Sequence, residues 1–194
     1  MWVRGAAIRP VPSFARVHRE QLERIERQLA EADRKGTANA PDLDESFVRF
    51  EQTQPALARR SAEVLARPLD ETALALGYFL TVAVWLAFER AFGSRLREVS
   101  SDALEEAQSA ITLEEELRAN HSHEPLDVED VLAFEQPGVI SFLNTHIETA
   151  LDPDSSDVDV DDVDLVYRHM LVMTLALSYA VEPTSGTASQ PFLA

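Results

Sequence analysis

The chain has no cysteine, only six glycines among its 194 residues, and almost no positive charge in its second half. Without cysteine there can be no disulfide framework, thiolate zinc site or cysteine nucleophile, and a reducing compartment fits. The glycines form no phosphate-cradling loop, no dinucleotide fingerprint and no Gly-x-Ser-x-Gly elbow. Strand signals are equally scarce, since no long alternating run is bounded by Asn-Gly or Asp-Gly turns.

The shortage of cations is regional. Residues 1–100 hold 15 Lys+Arg and 14 Asp+Glu, a net of +1, whereas residues 101–194 hold 2 and 20, a net of −18. Such a surface repels phosphate backbones, so neither nucleic acid nor an anionic membrane is the expected partner, and a basic protein is. The N-terminus "MWVRGAAIRPVPSFARVHRE" lacks the uninterrupted apolar core of a secretory signal, which makes the cytoplasm the expected location. The longest uncharged stretch, Thr72–Phe88, reaches about 26 Å as a helix against a hydrocarbon layer of about 30 Å. Flanked by Asp70 and Glu71 on one side and Glu89 and Arg90 on the other, it reads as a buried central helix and not a membrane span.

What is present is helical periodicity. Leu22, Ile25, Leu29 and Ala32 recur at steps of three and four, with Ser13 as a candidate cap and Gly36 as a stop. The other face of this helix pairs Arg16/Glu20, Arg19/Glu23 and Arg27/Glu31 at i,i+4 spacing. A second segment starts at Asp42 or Asp44 and meets Pro55. A third starts near Asp70, a fourth after Ser100, a fifth at Asp127, and "QPG" interrupts again before "VISFLNTHIETAL". The last apolar helix follows the run "DPDSSDVDVDDVD", whose end is expected to form that helix's first turn, where the macrodipole favours negative charge. These signals predict an all-α single domain: a helical bundle of six or seven helices, in two pseudo-repeated three-helix halves around two central apolar helices at about 70–92 and 163–180. Residues 1–12 are expected to be an N-terminal extension, 13–99 the first half, 100–182 the acidic second half and 183–194 a flexible tail.

The repeat reading rests on "PDLDESFVRFEQ" (41–52) and "PLDVEDVLAFEQ" (125–136), which align without gaps at a spacing of 84. The alignment pairs Phe50 with Phe134, Glu51 with Glu135 and Gln52 with Gln136. Each phrase leads through a proline into a further helical segment and then into the most apolar helix of its half. Ordinary helix grammar can produce such a pattern without duplication. In either case the phenylalanine docks the segment in the core, and a proline, which removes a donor and clashes with the preceding turn, redirects the chain.

Glu51, Gln52, Glu135 and Gln136 are the candidate ligand-binding groups, since two carboxylates facing inward could share a proton or an ion. Asp157, Asp159, Asp161, Asp162 and Asp164 are the candidate contacts for a basic partner. No catalytic residue, metal site or cofactor is expected. None of the five histidines has glutamate three residues before it, as a di-iron bundle requires, and the aspartate run lacks the glycine and glutamate of a calcium loop. His121 and His123 in "HSHE" lack a third ligand of known position. The leading expectation is a non-enzymatic acidic binding or regulatory protein that neutralises a basic protein. An enzyme or ligand-binding protein with a pocket between the halves is the second, and a homodimer formed through apolar helix faces the third.

Overall fold

A computed structural model describes residues 8–35, 43–119, 132–133, 135–152 and 158–184. Seven α-helices lie among them: α1 (Arg19–Lys35), α2 (Leu43–Thr53), α3 (Pro55–Leu65), α4 (Glu71–Phe92), α5 (Ser101–Ala119), α6 (Pro137–Ala150) and α7 (Val160–Tyr179). The fold is an all-α helical bundle. Its only β-type pairing among the described residues is an isolated bridge between Leu96 and Val181.

The two apolar helices lie at the centre, as expected. In α4 every residue from Leu80 to Phe88 is buried, and in α7 every residue from His169 to Ser178. A helix apolar on all sides can satisfy itself only by being covered all round. Accordingly α4 packs on α7, α1 lies across α4 and α6, α5 across α7 and α3, and α2 closes over α3 and α4. Helix α4 is long and apolar enough to cross a membrane, yet 61% of its apolar window is buried in this bundle.

Caps fix how the central pair begins. The Asp70 side chain accepts from Ala73 N at 2.8 Å, and that of Asp159 accepts from Asp161 N at 2.9 Å, relieving amide groups that helix starts leave bare. The two caps also meet. Asp70 N donates to Asp162 Oδ2 at 2.8 Å, and Asp159 N donates to Asp70 Oδ2 at 3.1 Å. At the other end Arg97 N donates to Ala180 O at 3.0 Å, so α4 and α7 run side by side in the same direction. Midway, Thr81 Oγ1 lies 3.9 Å from Met170 Sδ. The spacing of 89 residues that separates the caps Asp70 and Asp159 also separates Thr81 and Met170.

Several expectations need adjustment. Ser13 opens a short 3-10 turn (Ser13–Ala15) and does not cap α1, which starts at Arg19. Of the expected N-terminal extension, Ile8 and Val11 are buried in the core, as are Ala15 and Val17 just after it. Both prolines break their helices completely and stand at the first position of the next, where a missing N–H costs nothing. The expected cap Asp127, Phe134, the histidines of "HSHE", Asp157 and residues 185–194 of the tail lie outside the described residues.

Candidate functional site

The most specific polar chemistry in the molecule belongs to two glutamines. Gln54, between α2 and α3, and Gln136, at the start of α6, each precede a proline and have nearly the same backbone: φ −137°, ψ 60° and φ −131°, ψ 61°. Gln54 N donates to Phe50 O at 2.8 Å, and Gln136 N to Leu132 O at 2.7 Å. Phe50 and Leu132 are both fully buried.

Their side chains act as clamps on extended backbone. Gln54 Oε1 accepts from Val99 N at 2.8 Å, and its Nε2 donates to Arg97 O at 3.1 Å. Gln136 Oε1 accepts from Val17 N at 3.0 Å, and its Nε2 donates to Ala15 O at 2.7 Å and to Ser178 Oγ at 2.8 Å. A side-chain amide both accepts and donates, so each glutamine bonds its extended segment in the manner of a strand neighbour. The clamped residues, 15 and 17 in one case and 97 and 99 in the other, immediately precede α1 and α5. Each glutamine therefore holds the lead-in to the first helix of the opposite half.

One spacing, 82 residues, relates Ala15 to Arg97, Val17 to Val99, the start of α1 to that of α5, Gln54 to Gln136 and Pro55 to Pro137. It differs from the 84 of the Phe-Glu-Gln alignment. The residue that does in the first half what Gln136 does in the second is Gln54, and Gln52 is exposed on α2. A local signal existed in the dipeptide Gln-Pro, which occurs at both places. It carries the mechanism, a break plus an N-terminal position, where the identities of the neighbouring phrase do not.

The remaining candidates scatter. Glu51 is exposed. Glu135 is buried, with Arg16 at 3.8 Å. Gln136 is committed to its clamp. None of the three grooves described below is lined by Glu51 or Glu135. Of the aspartates, Asp159 and Asp162 are engaged in capping, while Asp161 in the first turn of α7 and Asp164 just after it are exposed. Among the described residues no group of three or more His, Asp or Glu side chains is placed to hold a metal ion.

Two buried or half-buried histidines complete the inventory. His169 of α7 shares a 2.9 Å hydrogen bond with the fully buried Ser61 of α3. Burial, with a smaller contribution from the Arg60 guanidinium, lowers its pKa to about 4, so the ring is neutral near pH 7. His146 of α6 sits edge-on to Phe79 and Phe142, with ring centroids 5.0 and 4.5 Å away. Desolvation pulls its pKa below the usual value, against the opposing pull of Glu26, 3.6 Å from its Nε2.

Among the described residues, three open grooves lie along the outer helices. One of about 340 Å³ lies between α1 and α6, lined by Arg19, Glu23, Glu26 and Arg27 and by Phe142, Thr145 and His146. A smaller one of about 300 Å³ runs along α1 beside Arg24, Arg27, Gln28 and Glu31. The largest, about 500 Å³, follows α5, and its described lining comes from that helix alone: Glu105, Gln108, Ser109, Thr112, Leu113 and Glu116.

Fold and site together define an all-α bundle whose two halves clamp each other, with a mixed-charge groove on one side and an acidic groove on the other. No family model matches the chain, and neither does any curated protein or solved structure.

Proposed function

We propose that the protein is a non-enzymatic binding protein whose acidic second half recruits and neutralises a basic protein. The observation that carries this reading is the contrast between α1 and α5, which begin 82 residues apart and pack in corresponding ways. Helix α1 holds five basic and five acidic residues, while α5 holds one arginine and six acids. On α5, Asp102 and Glu106 are like charges at i,i+4, which weakens a helix slightly. Glu115 pairs with Arg168 of α7, while exposed acids such as Asp102 and Glu106 suit a cationic surface brought from outside.

The test is binding of a fluorescent oligo-arginine peptide at low and high ionic strength. Affinity is expected to fall steeply with salt, because exposed charges are screened beyond about 8 Å at physiological ionic strength. Failure to bind at low salt, or an affinity indifferent to salt, refutes the reading.

The same proposal includes the origin of the scaffold: the halves descend from one unit by duplication. The single spacing of 82 residues across two clamps, two helix starts and two Gln-Pro junctions supports it, as does the spacing of 89 across the central helices. The two spacings differ by seven residues because α6 is three residues longer than α3 and the α6–α7 connection is four residues longer than the α3–α4 connection.

A further inference from the structure

We infer that the seam between α1 and α6 is a proton-operated latch: His146 stands beside Glu26 in the groove between the two helices, and charging its ring draws the carboxylate in and narrows the groove. The latch joins the two halves, since α1 belongs to the first and α6 to the second, and it does not depend on the basic-partner reading. His146 lies one turn after Phe142 on α6, and its ring stands edge-on to Phe142 and to Phe79 of α4, with centroids 4.5 and 5.0 Å away. The two phenyl rings are themselves 6.3 Å apart, so the three form one cluster beside the groove. His146 keeps 20% of its side-chain surface exposed, and its Nε2 lies 3.6 Å from Glu26 Oε1. That separation is too long for a hydrogen bond and short enough for an ion pair. While the ring is neutral, little draws the carboxylate closer. A positive ring does.

The other charged groups around the ring are engaged elsewhere. On α1, Arg19 Nε pairs with Glu23 Oε1 at 2.8 Å and its Nη1 donates to Ser141 Oγ at 2.7 Å, while Arg27 Nε donates to Glu23 O at 3.1 Å. From α4 the contact is the uncharged Phe79, and from α7 Tyr167 meets α6 by donating its hydroxyl to Asn144 Oδ1 at 3.0 Å. On α6 itself Glu148 follows His146 by two residues, about 200° round the helix. Glu26 is thus the charge that acts on the ring. Burial lowers the pKa of His146 from its ordinary 6.5, and Glu26 opposes that effect. The unfolded chain therefore binds this proton more readily. Stability from His146 is full above about pH 6.5 and is lost as pH falls, and the bond to Glu26 limits the loss.

The test is an NMR pH titration of the full-length chain, from about pH 8 to about pH 5, that follows the His146 imidazole and the backbone amides of α1 together. In the wild type the amides of residues 19–27 should shift with the same midpoint as the imidazole. Glu26→Gln should lower that midpoint, Glu26→Lys should lower it further, and both should abolish the linked shifts in α1. A double-mutant cycle of Glu26→Gln with His146→Gln should give a coupling of about two- to fivefold in the folding equilibrium constant at the acid end of the titration and none near pH 8. An imidazole midpoint that is the same with and without Glu26, or α1 amides that do not follow the imidazole, overturns the latch. The second result is read on the wild type alone, so it holds even where a variant fails to fold. Either result leaves the basic-partner reading to its own test with oligo-arginine.

Discussion

The two halves of this bundle agree in their interior and disagree on their surface. Gln54 and Gln136 repeat the same backbone angles and the same pair of hydrogen bonds to extended backbone, whereas the grooves along α1 and α5 share almost no charge pattern. A buried amide with two partners has no freedom to drift, because losing either partner leaves a polar group unsatisfied in the core. An exposed helix face is free to drift within a few tenths of a kcal/mol. What the two regions share belongs to the fold, and the charge in which they differ is what the basic-partner proposal rests on.

The clamps allow the most severe test. Gln136→Ala strands Ala15 O and Val17 N and removes a donor from Ser178 Oγ, which keeps its bond to Thr174 O, and should cost about 3–5 kcal/mol at roughly 1–3 kcal/mol per unsatisfied buried group. Gln54→Ala strands Arg97 O and Val99 N and should cost somewhat less, about 2–4 kcal/mol. Urea melts of the two variants read both numbers. If either is nearly neutral, the clamps are not equivalent and the case for duplication loses its main support.

The residue after each proline sharpens the comparison. A Cβ on Gly138 would lie 2.5 Å from Val17 O and 2.7 Å from Arg19 N, both backbone atoms. Gly138→Ala is therefore expected to push the clamped segment away and cost about 2–3 kcal/mol. The corresponding residue in the first half, Ala56, already carries a Cβ, and Ala56→Gly should cost about 1 kcal/mol or less. The two melts should rank in that order.

A third contrast is buried. Ser61 and His169 form a polar pair between α3 and α7; shifted by 82 and 89 respectively, their counterparts are Leu143 and Leu80, both fully buried. With its pKa lowered to about 4 from an ordinary 6.5, His169 binds its proton more readily in the unfolded chain. Stability is thus full above about pH 6.5, declines as pH falls, and has lost about 3 kcal/mol from this group once pH is below about 4. Urea melts at pH 7, 5 and 4 should show the decline. The double substitution Ser61→Leu with His169→Leu, which copies the other half, should flatten it and leave stability at pH 7 little changed, since both partners are removed together. A decline that persists unchanged in the double variant would place its source elsewhere.

Most of the fold was legible because it depends on local patterns. The apolar runs of α4 and α7, the acids before each, and the prolines at 55 and 137 state their consequences within a few residues. Ser13 misled because a serine before an amphipathic run is good cap grammar, while the bonding that fixes residues 15–17 comes from Gln136, 119 residues from Val17. Tertiary hydrogen bonds of that reach leave no periodic trace. The clamps escaped notice for the same reason, and the Phe-Glu-Gln phrase drew attention to Gln52, which faces solvent. The acidic second half was plain from composition.

The smallest expected effect bears most directly on why α5 is acidic. The counterpart of Glu106 is Arg24, which follows Glu20 by four residues on α1, just as Glu106 follows Asp102 on α5. Glu106→Arg would replace a like-charge i,i+4 pair with an attractive one and should stabilise the protein by about 0.5 kcal/mol, a shift of roughly 1–2 °C in melting temperature for a chain of this size. The same substitution should weaken oligo-arginine binding several-fold at low salt and hardly at all at high salt. A chain that becomes more stable when it loses an acid, and binds its cationic probe less well, keeps that acid for the partner. If the variant gains stability and binds as before, the negative charge of α5 serves solubility alone.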